Sequence, residues 1–216
     1  MTMTSKQLSR RDFLKLSGLA LGGAALTCSG LGYAATRTPD IATPEFLFAK
    51  DTTMTQKILV TYATRAGSTA EIAAAIGQTL AERGFNAEVK PVKKVSSLAG
   101  YQSVILGSAI RMGNWLPEMV KFVQDNQLVL NGLPTALFTA HMLNTDDDEA
   151  SCVAREAYTA PVRALLPKAP EALFSGVMDF SRLSFLDRFI ANMVKVVESD
   201  QRDWEKIRTW ANTVLN

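Results

Sequence analysis

Apolar and polar positions follow two different periods along the chain from Lys57 onward, and the two periods alternate. Short apolar runs, together with an apolar–polar alternation at 86–91, predict five β-strands, and longer stretches with apolar residues three or four positions apart predict α-helices. The predicted strands are Lys57–Tyr62, Asn86–Pro91, Ser103–Ser108, Pro134–Ala140 and Ala172–Val177. The predicted helices are Ser68–Arg83, Pro117–Gln127, Ala150–Leu166 and Asp203–Leu215.

This alternation of strands and helices predicts an α/β fold with a five-stranded parallel sheet. Right-handed crossovers place helices on both faces of such a sheet, so the predicted fold is doubly wound. The number of strands and the length of this region fit the strand order 2-1-3-4-5. Ligands bind such sheets at the carboxyl ends of the strands, near the switch point between strands 1 and 3. The loops that follow strands 1, 3 and 4 are therefore the candidate site.

The loop after the first predicted strand has the composition of a phosphate-binding loop. It combines hydroxyl side chains with one glycine and leads into a helix, whose first N–H groups carry partial positive charge. A phosphomonoester suits this loop, whereas the absence of a P-loop lysine disfavours a nucleoside triphosphate with Mg²⁺. In a purely structural interpretation, which is compatible with a bound phosphate, Ser68 caps the helix and Glu71 completes a capping box. The candidate residues are Thr64, Arg65, Ala66, Gly67, Ser68 and Thr69.

The loop after the third predicted strand carries glycine, arginine and tryptophan, and it suits a planar aromatic ligand. Backbone amides would edge the ring, and Met112 or Trp115 would cover it. Packing of Trp115 ahead of the next helix is the alternative for this side chain. Arg111 would either stabilise a reduced, anionic ring or remain solvated. The candidate residues are Ser108, Ala109, Ile110, Arg111, Met112, Gly113, Asn114 and Trp115.

The loop after the fourth predicted strand carries the chain's single histidine, His141, at the expected edge of the ring. A single histidine is not a metal site, but it can tune a cofactor or move a proton near neutral pH. A loop histidine without a role is the alternative. The acidic run 146–149 has the composition of a calcium ligand run, but we expect it to supply acids to the first helical turn that follows. The candidate residues are Thr139, Ala140, His141 and Met142.

The N-terminal 34 residues have the three parts of a secretory signal peptide. A twin-arginine pair, Arg10 and Arg11, precedes an apolar run rich in glycine and alanine, which ends in small residues that suit a signal peptidase. The apolar run 16–31 is short and glycine-rich for a transmembrane anchor, which is the alternative. We expect a periplasmic protein with a signal at 1–34, a linker at 35–56 and one domain at 57–216.

Charge and cysteine content narrow the class of function. Residues 1–34 hold four of the 23 basic residues and one of the 21 acidic residues, so the remaining chain has 19 basic and 20 acidic residues. A domain this close to neutral lacks the basic surface that nucleic-acid binding needs. Cys28 lies within the signal, which leaves Cys152 alone and excludes both an intramolecular disulfide and a cysteine-based metal site.

Four segments carry a resemblance to a known family: YATRAGSTAEIA, GSAIRMGNW, SGVMDFSRLSFLDRFI and DWEKIRTWA. With these segments, the chain from Lys57 to its C-terminus resembles the flavodoxin-domain family that includes menaquinone-dependent protoporphyrinogen oxidase. The resemblance implies a flavodoxin-like fold with FMN as cofactor. It also implies that the phosphate lies in the first loop, that the isoalloxazine ring lies between the second and third loops, and that electrons pass toward a quinone.

Two departures from that family and one apolar segment bear on the expected function. Only ESDQR separates the DRF-containing helix from the last helix, where the family has a longer stretch, and the export signal contrasts with the family's cytoplasmic enzymes.

In segment 183–197, apolar residues form a wide stripe. This stripe would lie on a membrane surface, form a quinone groove or pack on the sheet.

We therefore expect an exported FMN-dependent oxidoreductase that passes reducing equivalents to a membrane quinone or to a redox partner. A menaquinone-dependent protoporphyrinogen dehydrogenase is one alternative, and a flavin-free interaction module is the other. Segment 183–197 is the candidate for a peripheral membrane contact, with packing on the sheet or beside the linker as its alternative, and no nucleic-acid partner is expected.

Overall fold

The computed structural model describes residues 41–49, 56–185, 188–189, 192 and 197–215, so the predicted signal peptide lies outside the described residues. These residues form a central sheet with helices on both faces. The strands are β1 (Phe46–Phe48), β2 (Lys57–Ala63), β3 (Asn86–Pro91), β4 (Ser103–Arg111), β5 (Asn114–Trp115), β6 (Thr135–His141), β7 (Glu171–Ser175), β8 (Val177–Met178) and β9 (Ser199–Asp200). The helices are α1 (Ser68–Glu82), α2 (Pro117–Asp125), α3 (Gln127–Gly132), α4 (Glu149–Leu165) and α5 (Trp204–Thr213).

The sheet has the predicted strand order. Strands β3, β2, β4, β6 and β7 lie side by side in that order, and all of these neighbours run parallel. This confirms the doubly wound, flavodoxin-like order 2-1-3-4-5. The registers place Tyr62 beside Gly107 and Gly107 beside Phe138. The carboxyl ends of β2, β4 and β6 therefore meet at one edge of the sheet, where a ligand is expected.

Alternation along β2 sends its side chains into two separate cores. Ile58, Val60 and Tyr62 pack on the face covered by α1 and α5, whereas Leu59 and Ala63 pack on the face covered by α2 and α4. All five side chains are buried. Helices exclude water from both faces of this central strand, which is why it is almost continuously apolar.

The predicted linker contributes an additional strand. β1 pairs antiparallel with β3, and Phe48 packs so closely on α1 that a Cβ at Gly77 would lie 3.1 Å from the Phe48 ring. The buried Tyr62 hydroxyl donates to the Pro44 carbonyl at 2.7 Å, and burial raises the pKa of Tyr62 to about 12. Residues 41–49 therefore pack as part of the folded domain. The predicted domain boundary at residue 57 leaves them out.

Several elements differ in extent from their predictions. The predicted helix 117–127 ends at Asp125, and a separate helix α3 follows it. The last predicted strand breaks at Gly176 into β7 and β8, and β8 pairs with β9 outside the main sheet. β4 continues past Ser108 and forms a hairpin with β5. In the part of the chain that the structure describes, no helix has both the length and the apolar character to cross a membrane.

Candidate functional site

A cleft of about 200 Å³ opens at the carboxyl edge of the sheet. It lies between the loops after β2, β4 and β6, where the strand order predicts a ligand. Residues near β8 and Leu183 also line it. The lining residues are Thr64, Arg65, Ala66, Ser68, Ala109, Ile110, Arg111, Met112, Ala140, His141, Met142, Leu143, Gly176, Val177, Met178 and Leu183. The predicted site residues that do not line it are Gly67, Thr69, Ser108, Gly113, Asn114, Trp115 and Thr139.

The loop after β2 has the backbone geometry of an anion-binding loop. Gly67 has a φ of 90°, in the left-handed region that favours glycine, and its N–H donates to Thr64 Oγ1 at 2.9 Å. The N–H groups of Ala70 and Glu71 turn back to the Gly67 carbonyl. The earlier N–H groups of α1 have no acceptor within the helix. These groups and the positive end of the helix dipole favour an anion at this loop.

Thr69 lies in the first turn of α1, where a bound phosphate would be held. Its side chain is fully buried, and its Oγ1 has no hydrogen-bond partner among the described residues. A buried polar atom that lacks a partner costs about 1–3 kcal/mol, so native proteins rarely keep one without a reason. A phosphate oxygen beside the start of α1 would accept the hydrogen bond that this hydroxyl can donate.

The capping box expected from Ser68 and Glu71 is wrong. Gly67 is the N-cap residue of α1, and no side chain caps the helix. The Glu71 carboxylate instead pairs with two arginines, Arg182 and Arg202, with an Arg182 Nη1–Glu71 Oε1 distance of 3.0 Å. Burial opposes ionisation of Glu71, but the hydrogen bonds from these arginines bring its pKa below the ordinary value.

Arg65 lines the cleft and ties the loop after β2 to helix α2. Its guanidinium pairs with both carboxylate oxygens of Glu118, with an Nη2–Oε2 distance of 2.8 Å. Lys93 Nζ lies 3.9 Å from the same carboxylate. Burial opposes ionisation of Glu118, but the Arg65 hydrogen bonds hold its pKa below the ordinary value. This ion pair restrains the position of the loop.

The loop after β4 is a tight β-hairpin. β4 extends to Arg111, and the two residues of the turn, Met112 and Gly113, have φ values of 52° and 74°. Positive φ at both positions is typical of the two-residue turns that match the twist of antiparallel strands. Met112 is 76% exposed and lines the cleft, so it is placed to cover a ligand, whereas Gly113 and Asn114 are exposed outside the cleft lining.

Three predicted site residues, Ser108, Trp115 and Thr139, lie in the core instead of the cleft. The Trp115 Nε1–H donates to Thr139 Oγ1 at 2.8 Å. The Ser108 hydroxyl accepts from the Leu116 N–H at 3.0 Å and donates to the Ala109 carbonyl. The expectation that Trp115 covers a ring is therefore wrong, because the indole packs in the core and its polar atom is already paired there.

His141 lies on the wall of the cleft in a defined tautomer. Its Nδ1 lies 2.9 Å from the Leu143 carbonyl oxygen. A carbonyl oxygen only accepts hydrogen bonds, so Nδ1 carries the proton and Nε2 carries the lone pair in the neutral ring. Burial lowers the pKa of His141, and the nearby cations Arg155 and Lys206 lower it further. A neutral imidazole at pH 7 can act as a hydrogen-bond acceptor or proton acceptor.

The residues that follow β7 complete the cleft, but they were not among the predicted site residues. The Gly176 N–H donates to the His141 carbonyl at 2.9 Å, and a Cβ at Gly176 would lie 3.3 Å from Ser68 Oγ. This close approach brings the end of β7 against the loops after β2 and β6. The sequence feature that could have indicated this part of the site is Gly176, near the end of the last predicted strand and at the same sheet edge as the other loops.

The acidic run 146–149 begins helix α4, as expected. Asp148 is the N-cap residue, its Oδ1 accepts from the Ser151 N–H at 2.9 Å, and Glu149 lies in the first turn. Within the described ranges, no group of three or more acidic, histidine or cysteine side chains is arranged to hold a metal ion.

The fold and this cleft define a doubly wound α/β protein with an anion-binding loop at its switch point. The chain belongs to the flavodoxin domain family, which matches residues 59–205. It is 25% identical over 173 residues to the protoporphyrinogen IX dehydrogenase (quinone) of Escherichia coli K12, across 74% of this chain and 95% of that protein. It is 26% identical over 170 residues to the Leishmania major protein of the same name, across 72% and 73%.

Solved structures give likenesses at lower identity. Rubredoxin oxygen:oxidoreductase from Desulfovibrio gigas matches with a TM-score of 0.48 and 14% identity, over 74% of this chain and 35% of that one. The flavodoxin of Streptococcus pneumoniae TIGR4 matches with a TM-score of 0.47 and 18% identity, over 73% of this chain and 97% of that one.

Membership of the flavodoxin domain family implies FMN as the cofactor, and the residues present fit this molecule. The turn at Gly67, the start of α1 and the Thr69 hydroxyl, which has no partner among the described residues, suit its phosphate. The cleft beyond Ser68, between Met112 and His141, suits a planar ring. FMN supplies one- and two-electron redox chemistry when bound, while the protein orients it and sets its electrostatic surroundings.

Proposed function

We propose that this protein is an exported FMN-dependent oxidoreductase that passes reducing equivalents to a quinone or to a membrane redox partner. The observation that carries the proposal is the cleft itself. It joins an anion-binding loop to an apolar wall at the carboxyl edge of the sheet. The printed name of the Escherichia coli relative, a quinone-linked dehydrogenase, supports a quinone as the acceptor.

Exposed apolar side chains at the cleft and in the segment after Leu183 support an apolar or membrane-bound partner. Met112 and Leu143 line the cleft and are exposed. Phe185, Phe189 and Val197, in the segment that follows the cleft-lining Leu183, are 72%, 56% and 75% exposed. An isoprenoid quinone and a membrane surface both bind through apolar contacts. The rest of segment 183–197, at 186–187, 190–191 and 193–196, lies outside the described residues.

The roles of individual residues follow from their positions. The turn at Gly67 and the first turn of α1 bind the phosphate, and the Arg65–Glu118 pair holds the loop in position. Met112 covers the open side of the cleft and limits access of water. His141 presents a neutral Nε2 that can accept a proton released during the redox reaction.

A flavin spectrum followed by an anaerobic titration tests this function. The purified protein should show flavin absorbance bands after reconstitution with FMN, and menaquinone should reoxidise the reduced, bound flavin under anaerobic conditions without added partners. Absence of flavin bands would overturn the proposal and favour a flavin-free interaction module. That module was expected to have a cleft blocked by Trp115 or Met112, but the indole of Trp115 is buried in the core beside Thr139.

Protoporphyrinogen IX dehydrogenation is a second candidate, because the similarity covers 95% of the Escherichia coli enzyme. Complementation of a strain that lacks this step, with and without residues 1–34, distinguishes the two functions. Rescue only by the form without residues 1–34 would indicate a porphyrinogen-oxidising domain whose export separates it from haem synthesis. Failure of both forms to rescue, with FMN bound, would favour the exported quinone-linked oxidoreductase.

A further inference from the structure

We propose that Arg182 is a phosphate-binding residue for FMN, an inference that rests on the proposed flavin function. Arg182 ends a short 3₁₀ turn, Phe180–Arg182, more than one hundred residues after the loop that follows β2. Its Nη1 donates to the Ala66 carbonyl at 3.3 Å. The same atom lies 3.3 Å from the position that a Cβ on Gly67 would occupy. A fully charged side chain is therefore in contact with the anion-binding loop.

A second cavity borders this side of the loop. It has a volume of about 380 Å³, and its lining includes Gly67, Glu71, Ser181 and Arg182. Ile41 also lines it and would lie 3.4 Å from a Cβ on Gly67. The cavity provides space beside Gly67 in which anionic oxygens could contact the Arg182 guanidinium.

Glu71 competes with a phosphate for Arg182. The Arg182 Nη1–Glu71 Oε1 distance is 3.0 Å, and Arg182 Nε lies 3.1 Å from Asp179 Oδ2. Burial raises the pKa of Glu71, but the hydrogen bonds from Arg202 and Arg182 bring it below the ordinary value, so Glu71 is ionised at neutral pH. Arg202 also pairs with Glu71. Arg202 can therefore continue to neutralise Glu71 when Arg182 turns toward a phosphate.

This arrangement gives the site a preference for FMN over riboflavin, which lacks the phosphate. Hydrogen bonds between a guanidinium and a phosphate are roughly twice as strong as those between neutral groups. The Arg182 side chain is 40% exposed, so solvent and salt weaken the interaction. We expect Arg182 to contribute about tenfold to FMN affinity and nothing to riboflavin affinity.

Flavin fluorescence quenching on the apo-protein measures both affinities. Arg182→Ala should raise the Kd for FMN about tenfold and leave the Kd for riboflavin within about twofold of the parent. Arg208→Ala, which removes the same charge from an exposed position on α5, is the matched control and should leave both Kd values unchanged. An unchanged FMN Kd in Arg182→Ala, or equal loss of FMN and riboflavin affinity, would overturn the inference.

Glu71→Gln separates a direct electrostatic role from a structural one. If Arg182 binds the phosphate, removal of the competing carboxylate should lower the Kd for FMN several-fold and leave the Kd for riboflavin unchanged. If Arg182 only braces the Asp179 turn against α1, Glu71→Gln should weaken binding as Arg182→Ala does, and this result would overturn the inference. A parent protein that binds riboflavin and FMN equally would also overturn the phosphate-binding role of Arg182, but the proposed flavin function would stand. A parent that binds neither flavin would overturn the proposed function as well.

Discussion

The Thr69 hydroxyl is buried in the first turn of α1 without a hydrogen-bond partner in the described part of the chain. Thr69→Val replaces it with a methyl group of the same shape. We expect the apo-protein to be as stable as the parent or more stable, because the substitution removes an unsatisfied buried polar atom. The Kd for FMN should rise about fivefold to tenfold, because the phosphate loses a donor.

Thermal unfolding of the apo-protein and flavin fluorescence quenching measure these two effects separately. Thr79→Val is the matched control, because Thr79 is a buried threonine of the same helix whose hydroxyl donates to the Ala75 carbonyl. This control should not change the FMN Kd. A destabilised Thr69→Val apo-protein with unchanged FMN affinity would contradict a phosphate role for Thr69.

His141 titrates alone, because it is the only histidine in the chain. Burial and the nearby cations lower its pKa below the ordinary value of 6.5. The unfolded chain therefore binds a proton more readily than the folded protein does. The His141 contribution to stability is fully present above pH 6.5 and is lost as the pH falls from 6.5 toward the folded-state pKa.

An NMR titration of the single imidazole should give a midpoint below 6.5. Urea unfolding above and below this pH should show a loss of stability on acidification that His141→Gln reduces. A midpoint at or above 6.5 would mean that the imidazole is not buried as a neutral acceptor. It would remove the basis for His141 as a proton acceptor on the cleft wall.

At the scale of secondary-structure elements, Glu88 of β3 links its own strand to β2 and to Tyr101, which precedes β4. Lys57 Nζ of β2 lies 2.7 Å from Glu88 Oε2, Lys90 pairs with Oε1, and the Tyr101 hydroxyl donates to Oε2 at 2.6 Å. Burial opposes ionisation, but these hydrogen bonds lower the pKa of Glu88 to about 2.

We expect Glu88 to stabilise the fold above pH 4.5 and to lose this contribution as the pH falls through about 2. Chemical denaturation across this interval should show a smaller acid-induced loss of stability in Glu88→Gln than in the parent. Glu156→Gln, at an exposed carboxylate on α4, is the control and should retain the full loss. Equal pH dependence in the parent and in Glu88→Gln would show that these contacts do not persist in solution.

Sequence patterns predicted the parallel sheet because its central strands β2, β4 and β6 carry apolar runs that are buried on both faces, and because strands alternate with helices along the chain. They did not predict β1, because three residues give no period and its position depends on pairing with β3. The β4–β5 hairpin was missed because Met112 occupies a left-handed turn position where glycine or asparagine would be the usual signal. Trp115 was ambiguous because core packing and ligand stacking both require an aromatic residue near a strand end.

At the scale of the whole molecule, the flavin cleft and the N-terminus make separate contributions to the proposed function. Residues 41–49 pack on the domain through β1 and the Tyr62–Pro44 hydrogen bond. The proposed twin-arginine signal lies further toward the N-terminus, in residues outside the described ranges. Changes to the arginine pair should therefore alter export without altering flavin binding.

Arg10→Lys combined with Arg11→Lys tests the export proposal, because lysine keeps the positive charge and removes only the paired guanidinium groups. We expect the variant to remain in the cytoplasm, while the parent reaches the periplasm and loses its signal. Immunoblots of separated cell fractions measure the location, and flavin fluorescence of the purified variant should give the parent's FMN affinity. Lys6→Arg is the control and should be exported normally. If the double variant were exported as well as the parent, the twin-arginine proposal would fail, but the flavin site would be unaffected.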